Sequence, residues 1–108
     1  SAVELRIPTE AISARGIGRH IYCYAMDRST VGISSVLLEE WNKKSLLRMH
    51  CEYEKDGDWV TAKLPERLVQ WYQIESLTQS DYRLIPEPDK MRVRLDLRPL
   101  IKRQAVAG

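Results

Sequence analysis

Alternation of apolar and polar side chains is clearest at two places. In LLRMHCEYE, Leu47, Met49, Cys51 and Tyr53 fall on one side, and Arg48, His50 and Glu52 on the other. That is the period of a half-buried strand. The KDGD that follows puts Asp56-Gly57 where a tight turn demands positive φ. WVTAKL then returns with Val60, Ala62 and Leu64 on one face, which predicts a β-hairpin over residues 46–64. In MRVRLDLR, Met91, Val93, Leu95 and Leu97 alternate with Arg92, Arg94, Asp96 and Arg98 before Pro99 stops the strand.

A further strand is predicted over Ile17–Met26. Ile21, Cys23 and Ala25 share one face, with Tyr22, Tyr24 and Met26 on the other. Two apolar faces mark it as central. Val3–Ile7 reads as an opening strand, and DYRLIPEPD as a short one that ends near Pro86 and Pro88. In PTEAISARG, Thr9 suits the start of a short helix and Gly16 its end. Ile33, Val36, Leu37 and Trp41 sit at helical spacing, with Ser34 or Ser35 as a cap and Lys43 and Lys44 at the C-terminal end. This favours a helix over 33–44, against a strand at GISSVLL. ERLVQWYQIESL fits either a helix opened by Pro65 or a strand of Leu68, Gln70, Tyr72 and Ile74. Residues 99–108 read as a tail.

The expectation is therefore an α+β, strand-rich domain spanning 1–108. Five or six mostly antiparallel strands form a small barrel or curved sheet with one or two helices. The first two residues, Ser1 and Ala2, carry no weight in it.

Composition changes this picture little. The chain has 108 residues, 44% hydrophobic and 30% charged, enough to bury a core without disulfides or metals. It has no run of apolar residues of membrane-spanning length and no signal-peptide pattern. Two cysteines, Cys23 and Cys51, read as buried thiols in a reducing compartment, so the expected location is cytoplasmic. A net charge of +2 makes no bulk argument for nucleic acid.

Candidate chemistry thins out under a facing test. His20-x-x-Cys23 and His50-Cys51 contain zinc-ligand types, but residues an odd number apart on a strand point to opposite faces. A cysteine nucleophile would lack a glycine-rich oxyanion turn beside it. Glu39-Glu40, Glu52/Glu54 and Asp56/Asp58 read as solvated charge. No metal, cofactor or catalytic set is expected. The basic residues form a possible-contact face instead: Arg92, Arg94 and Arg98 share one side of the last strand, and Lys102 and Arg103 follow. With Arg48 and His50 of the hairpin, they would make a positive patch for a nucleic-acid backbone if the two strands were neighbours.

One stretch carries a finer signal. Arg15-Gly16-Ile17-Gly18-Arg19 is followed by Asp27-Arg28-Ser29-Thr30-Val31-Gly32, with His20 to Met26 between them. Those intervening residues make about 25 Å of extended chain, one strand's worth. The stretch resembles the two-part signature of PilZ domains, small β-barrels that bind cyclic di-GMP. The resemblance implies that Arg15 and Arg19 clamp phosphates and bases and that Asp27, Ser29 and Gly32 hold a guanine. Guanidiniums pair with phosphates bidentately and stack on purines, which suits that role. The same residues also fit a helix ended by Gly16, solvated arginines, and a turn in which Asp27 and Ser29 bond their own backbone.

The functional expectation is a non-enzymatic binding or regulatory module. It acts through protein contacts or dimerisation, since three tryptophans and five tyrosines in so small a domain favour some aromatic surface. PilZ-like cyclic di-GMP binding and nucleic-acid binding by the basic strand face are the alternatives.

Overall fold

The computed structural model describes residues 3–12 and 20–107. In chain order its elements are β1 (Glu4–Pro8), β2 (His20–Ala25), β3 (Thr30–Ser34), α1 (Glu39–Lys44), β4 (Leu47–Asp56), β5 (Trp59–Lys63), α2 (Glu66–Trp71), β6 (Arg83–Pro86), β7 (Arg92–Asp96) and α3 (Arg98–Ala107). A single 3-10 turn at Gln79–Asp81 precedes β6. The strands form one sheet in the order β1-β5-β4-β2-β3-β7-β6, curled into a nearly closed barrel. The count exceeds the expected five or six strands and one or two helices, because 30–34 pairs as a strand and 98–107 is helical.

Every neighbouring pair is antiparallel. Direction therefore alternates along the sheet, and its two edge strands, β1 and β6, run the same way. An odd number of alternating strands cannot close on itself with one more antiparallel ladder. The sheet order accordingly ends at β1 and β6. Pro8, Leu84 and Pro86 line the cleft between these edges. A proline at a strand end offers no N–H to a further strand, which blunts the edge.

Alternation sorts the side chains as expected. Leu5 and Ile7, Ile21, Cys23 and Ala25, Val31 and Ile33, Cys51, Val60 and Ala62, and Val93 and Leu95 form the buried interior. β2 is the middle strand of the sheet, as its two apolar faces predict. Leu68, Tyr72 and Ile74 of the α2 region and Leu97 and Leu100 near the start of α3 join the same core.

The hairpin of β4 and β5 stands as predicted, with Asp56 opposite Trp59. Gly57 alone of its turn residues has positive φ, at 59°, so Asp56 does not share that role. Other segments depart from expectation for identifiable reasons. Ile33 belongs to β3, where its inward side chain and its ladders to β2 and β7 outweigh the helical spacing; α1 starts only at Glu39. Ser34 and Ser35 cap no helix, and their hydroxyls donate to the carbonyls of Val36 and Met91. Thr9 opens a turn, its hydroxyl donating to the Asp58 carbonyl; the Gly16 end of the expected helix lies outside the described residues. The segment from Glu66 takes its helical option. The expected tail is helix α3. Asp96 Oδ1 accepts the Arg98 N–H at 3.0 Å, Pro99 sits in the first turn where its missing N–H costs nothing, and Leu100 is buried.

Outside the barrel, α1 is fixed by one side chain. Trp41 is 2% exposed and meets the edge of Tyr24, ring centroids 5.5 Å apart. Gly32 makes this seat: a Cβ there would lie 2.6 Å from Trp41 Cε3. Tyr24, fully buried on the same outer face, completes a relay. The Leu38 N–H donates to the Tyr24 hydroxyl (3.1 Å), that hydroxyl to Ser34 Oγ (2.8 Å), and Ser34 to the Val36 carbonyl (2.6 Å).

Gly32→Ala is expected to cost about 1–3 kcal/mol through overpacking against the indole. In a Trp41→Ala background the same change is expected to cost far less. Urea denaturation of the two single variants and the double variant measures this coupling.

Candidate functional site

The β2–β3 turn, residues 26–29, is held by more bonds than a turn requires. Asp27 Oδ1 accepts the Ser29 N–H at 2.9 Å and lies 3.4 Å from the Ser29 hydroxyl. The Met26 N–H donates to the Thr30 carbonyl at 3.0 Å. From the core side, the Tyr72 hydroxyl lies 2.7 Å from the Asp27 carbonyl and 3.0 Å from that of Thr30. From the β7 side, the Leu97 N–H donates to the Ser29 carbonyl at 2.7 Å. Three separate parts of the chain thus fix the backbone that carries Asp27 and Ser29.

Burial first, and then the negative charge of Asp27, push the Tyr72 hydroxyl up to about 12. It therefore remains a donor throughout the physiological range.

The turn borders an open cleft of about 470 Å³ on the outer face. α1 contributes Glu40, Trp41 and Lys44; the turn contributes Met26, Asp27 and Ser29; the sheet contributes Thr30, Ile85, Arg94 and Asp96; Arg98 stands at the start of α3. Register explains the grouping. Thr30 faces Asp96, and Gly32 faces Arg94, across the β3–β7 ladder. Residues 94 and 96 therefore share the outer face with the turn, and Arg98 follows them.

Carboxylates hold the two arginines. Asp96 grips the Arg98 guanidinium at 2.8–3.1 Å through both oxygens. That contact, with the Arg98 N–H, keeps the Asp96 carboxyl below the usual carboxylate range despite its burial. Arg94 meets Glu87 at 3.5 Å, half-exposed, and its guanidinium carbon lies 5.9 Å from the centre of the Trp41 ring.

The residues expected from sequence are only partly assembled here. Asp27 and Ser29 line the cleft. Gly32 is buried beneath Trp41, so its missing Cβ serves the chain's own indole and not a ligand's approach. Arg15 and Arg19 lie outside the described residues. The strand that follows them, β2, is continuous from His20 to Ala25, and places His20 about 20 Å from the turn at the other end.

The basic face is divided. β4 and β7 are not neighbours; β2 and β3 stand between them. Arg48 is therefore separated from Arg92 and Arg94, with Tyr24 and Gly32 in the row between. Arg92 pairs with Asp89 at 2.8 Å, and Arg103 pairs bidentately with the buried Asp81, tying α3 to the 3-10 turn. Lys102 is exposed on α3, away from the strand face. The imidazoles of His20 and His50 stack on each other outside the barrel, 5.2 Å apart. Cys23 and Cys51 face the core. Hydrogen bonding with Cys51, and burial, push the Cys23 thiol up, which makes it a poor nucleophile. Among the described residues no group of three or more ligand-type side chains is placed to hold a metal ion.

Sequence reasoning missed Trp41, Lys44 and Glu40 as cleft residues, and Tyr72 and Leu97 as supports of the turn. The usable signal was Trp41, the one large apolar side chain of the short polar helix α1.

Tyr72→Phe is expected to destabilise the domain by about 1–3 kcal/mol at neutral pH, since the Asp27 carbonyl loses its Tyr72 donor while that of Thr30 keeps the Met26 N–H. The sign of the pH effect follows from the raised value. The hydroxyl's contribution is fully present below pH 10, the ordinary tyrosine value, and is lost as pH rises toward 12. Wild type should therefore lose more stability than Tyr72→Phe between pH 10 and 12, which paired denaturation curves measure. No protein family, curated protein or solved structure in the comparisons matches this chain.

Proposed function

We propose that this domain is a non-enzymatic receptor for a cyclic dinucleotide, of PilZ-like type, with the guanine edge read at Asp27 and Ser29. The observation that carries the reading is the bracing of the 26–29 turn from the strand, core and β7 sides. Such bracing holds the side chains of the turn in one geometry, as a preorganised site requires. Asp27 Oδ1 is fixed by Ser29, and the exposed carboxylate keeps acceptor capacity for the N–H groups of a guanine. Arginine side chains border the same cleft, as a phosphate-bearing ligand requires. The nearly closed barrel also suits that family.

The test is a thermal melt with and without cyclic di-GMP. Ligand at about 100 times its dissociation constant adds roughly 2.7 kcal/mol, which raises the midpoint of a domain this small by about ten degrees. Asp27→Ala with Ser29→Ala should remove most of that shift. No shift in the wild-type protein overturns the reading.

A second reading, protein contact or self-association, has its own observation. Trp71 is 52% exposed, beside Ile101 at 39%. The two border a small groove that reaches Tyr72, Leu97 and Leu100. Exposed tryptophan beside apolar surface is a common anchor of protein interfaces. Sedimentation of wild type and Trp71→Glu over a range of concentrations tests it: self-association predicts a concentration-dependent dimer that the variant abolishes.

A further inference from the structure

We propose that Arg94 and Arg98, and not Arg15 and Arg19, are the arginines that bind the ligand's phosphates. This rests on the dinucleotide reading and assigns its phosphate subsite. Arg94-x-x-x-Arg98 has the same spacing as Arg15-x-x-x-Arg19. Spacing alone does not choose between them; the proposal rests on the place of Arg94 and Arg98 beside the turn.

Arg94 and Arg98 open into the cleft that Asp27 and Ser29 border. Two ladder pairs, Thr30 with Asp96 and Gly32 with Arg94, fix that proximity. The bond from the Leu97 N–H to the Ser29 carbonyl locks the two chain segments together beside it. His20, the first residue of β2, stands about 20 Å from the turn.

The two guanidiniums are prepared differently. Arg98 is gripped by Asp96 through Nε and Nη2. Its orientation is fixed, and Nη1 has no partner in that grip. With its side chain 73% exposed, it presents those donors to the cleft. Arg94 is held more loosely, by one 3.5 Å contact to Glu87 and by its position over Trp41. A phosphate that accepts two parallel bonds competes well against a single long, half-exposed ion pair. Arg98 thus acts as a fixed anchor and Arg94 as an arm that changes partner.

The experiment titrates cyclic di-GMP by calorimetry into wild type, Arg94→Gln, Arg94→Gln with Arg98→Gln, and Arg15→Ala with Arg19→Ala. Unliganded melts of each protein establish folding. Arg94→Gln alone is included because Arg98→Gln withdraws a partner from buried Asp96. Expected are at least a tenfold loss of affinity for Arg94→Gln, loss of detectable binding for its double variant, and affinity within about twofold of wild type for the Arg15/Arg19 variant. Wild-type affinity in Arg94→Gln overturns the assignment while leaving the receptor reading intact. Loss of binding in the Arg15/Arg19 variant overturns it as well. A wild-type protein that does not bind the dinucleotide overturns both.

Discussion

Strand β2 carries apolar side chains on both faces, and covering both is the constraint from which much of the structure follows. The inward set, Ile21, Cys23 and Ala25, is covered when the sheet curls around a common core. The outward set cannot use that core. Tyr24 is buried instead by the segment after β3, through the hydroxyl relay to Leu38 and Ser34 and through the edge contact with Trp41. That placement forces residue 32 to lack a side chain. It also sets α1 beside the β2–β3 turn, so the wall of the cleft results from protecting the central strand.

The cleft then inherits its contents from register. Once β3 pairs with β7, outward positions 94 and 96 stand level with the turn. α3 begins just where β7 ends, which puts Arg98 in the same place. Tyr72 reaches the turn from beneath because α2 closes the core there. The residues around the turn are distant in sequence, and each is positioned by an element that has another structural task. A site of this kind needs no single contiguous motif.

This explains what the sequence reveals and what it conceals. The 46–64 hairpin and the last strand are legible because strict alternation over many residues has one solution. The centrality of β2 is legible because both its faces are apolar. β3 is not, since its five residues end only four residues before a helix and Ile33 happens to align with Trp41 at helical spacing. α3 is concealed by Pro99, which reads as a stop although it is tolerated in a first helical turn. Of the candidate site, Asp27 and Ser29 are legible from a local pattern, whereas their meeting with Arg94 and Arg98 depends on a β3–β7 pairing that no local pattern announces. The separation of Arg48 from the β7 arginines is concealed for the same reason: Arg48 and Arg94 share a row and a face, but two strands lie between them.

The charges around the cleft bear on what it is suited to bind. Its lining pairs Asp27, Glu40 and Asp96 with Lys44, Arg94 and Arg98, so formal charge cancels there. A nucleic-acid surface works differently: it gains affinity by neutralising many phosphates and releasing their counterions, and so needs an excess of cations. Here Arg92, Arg98 and Arg103 are held by short contacts to their own carboxylates, and Arg94 by a longer one. Such an arrangement orients guanidiniums without building a large positive field. On the proposed dinucleotide reading, a small ligand that offers hydrogen-bond donors to Asp27 and a few phosphate oxygens to arginine suits it better than a long polyanion that offers charge alone.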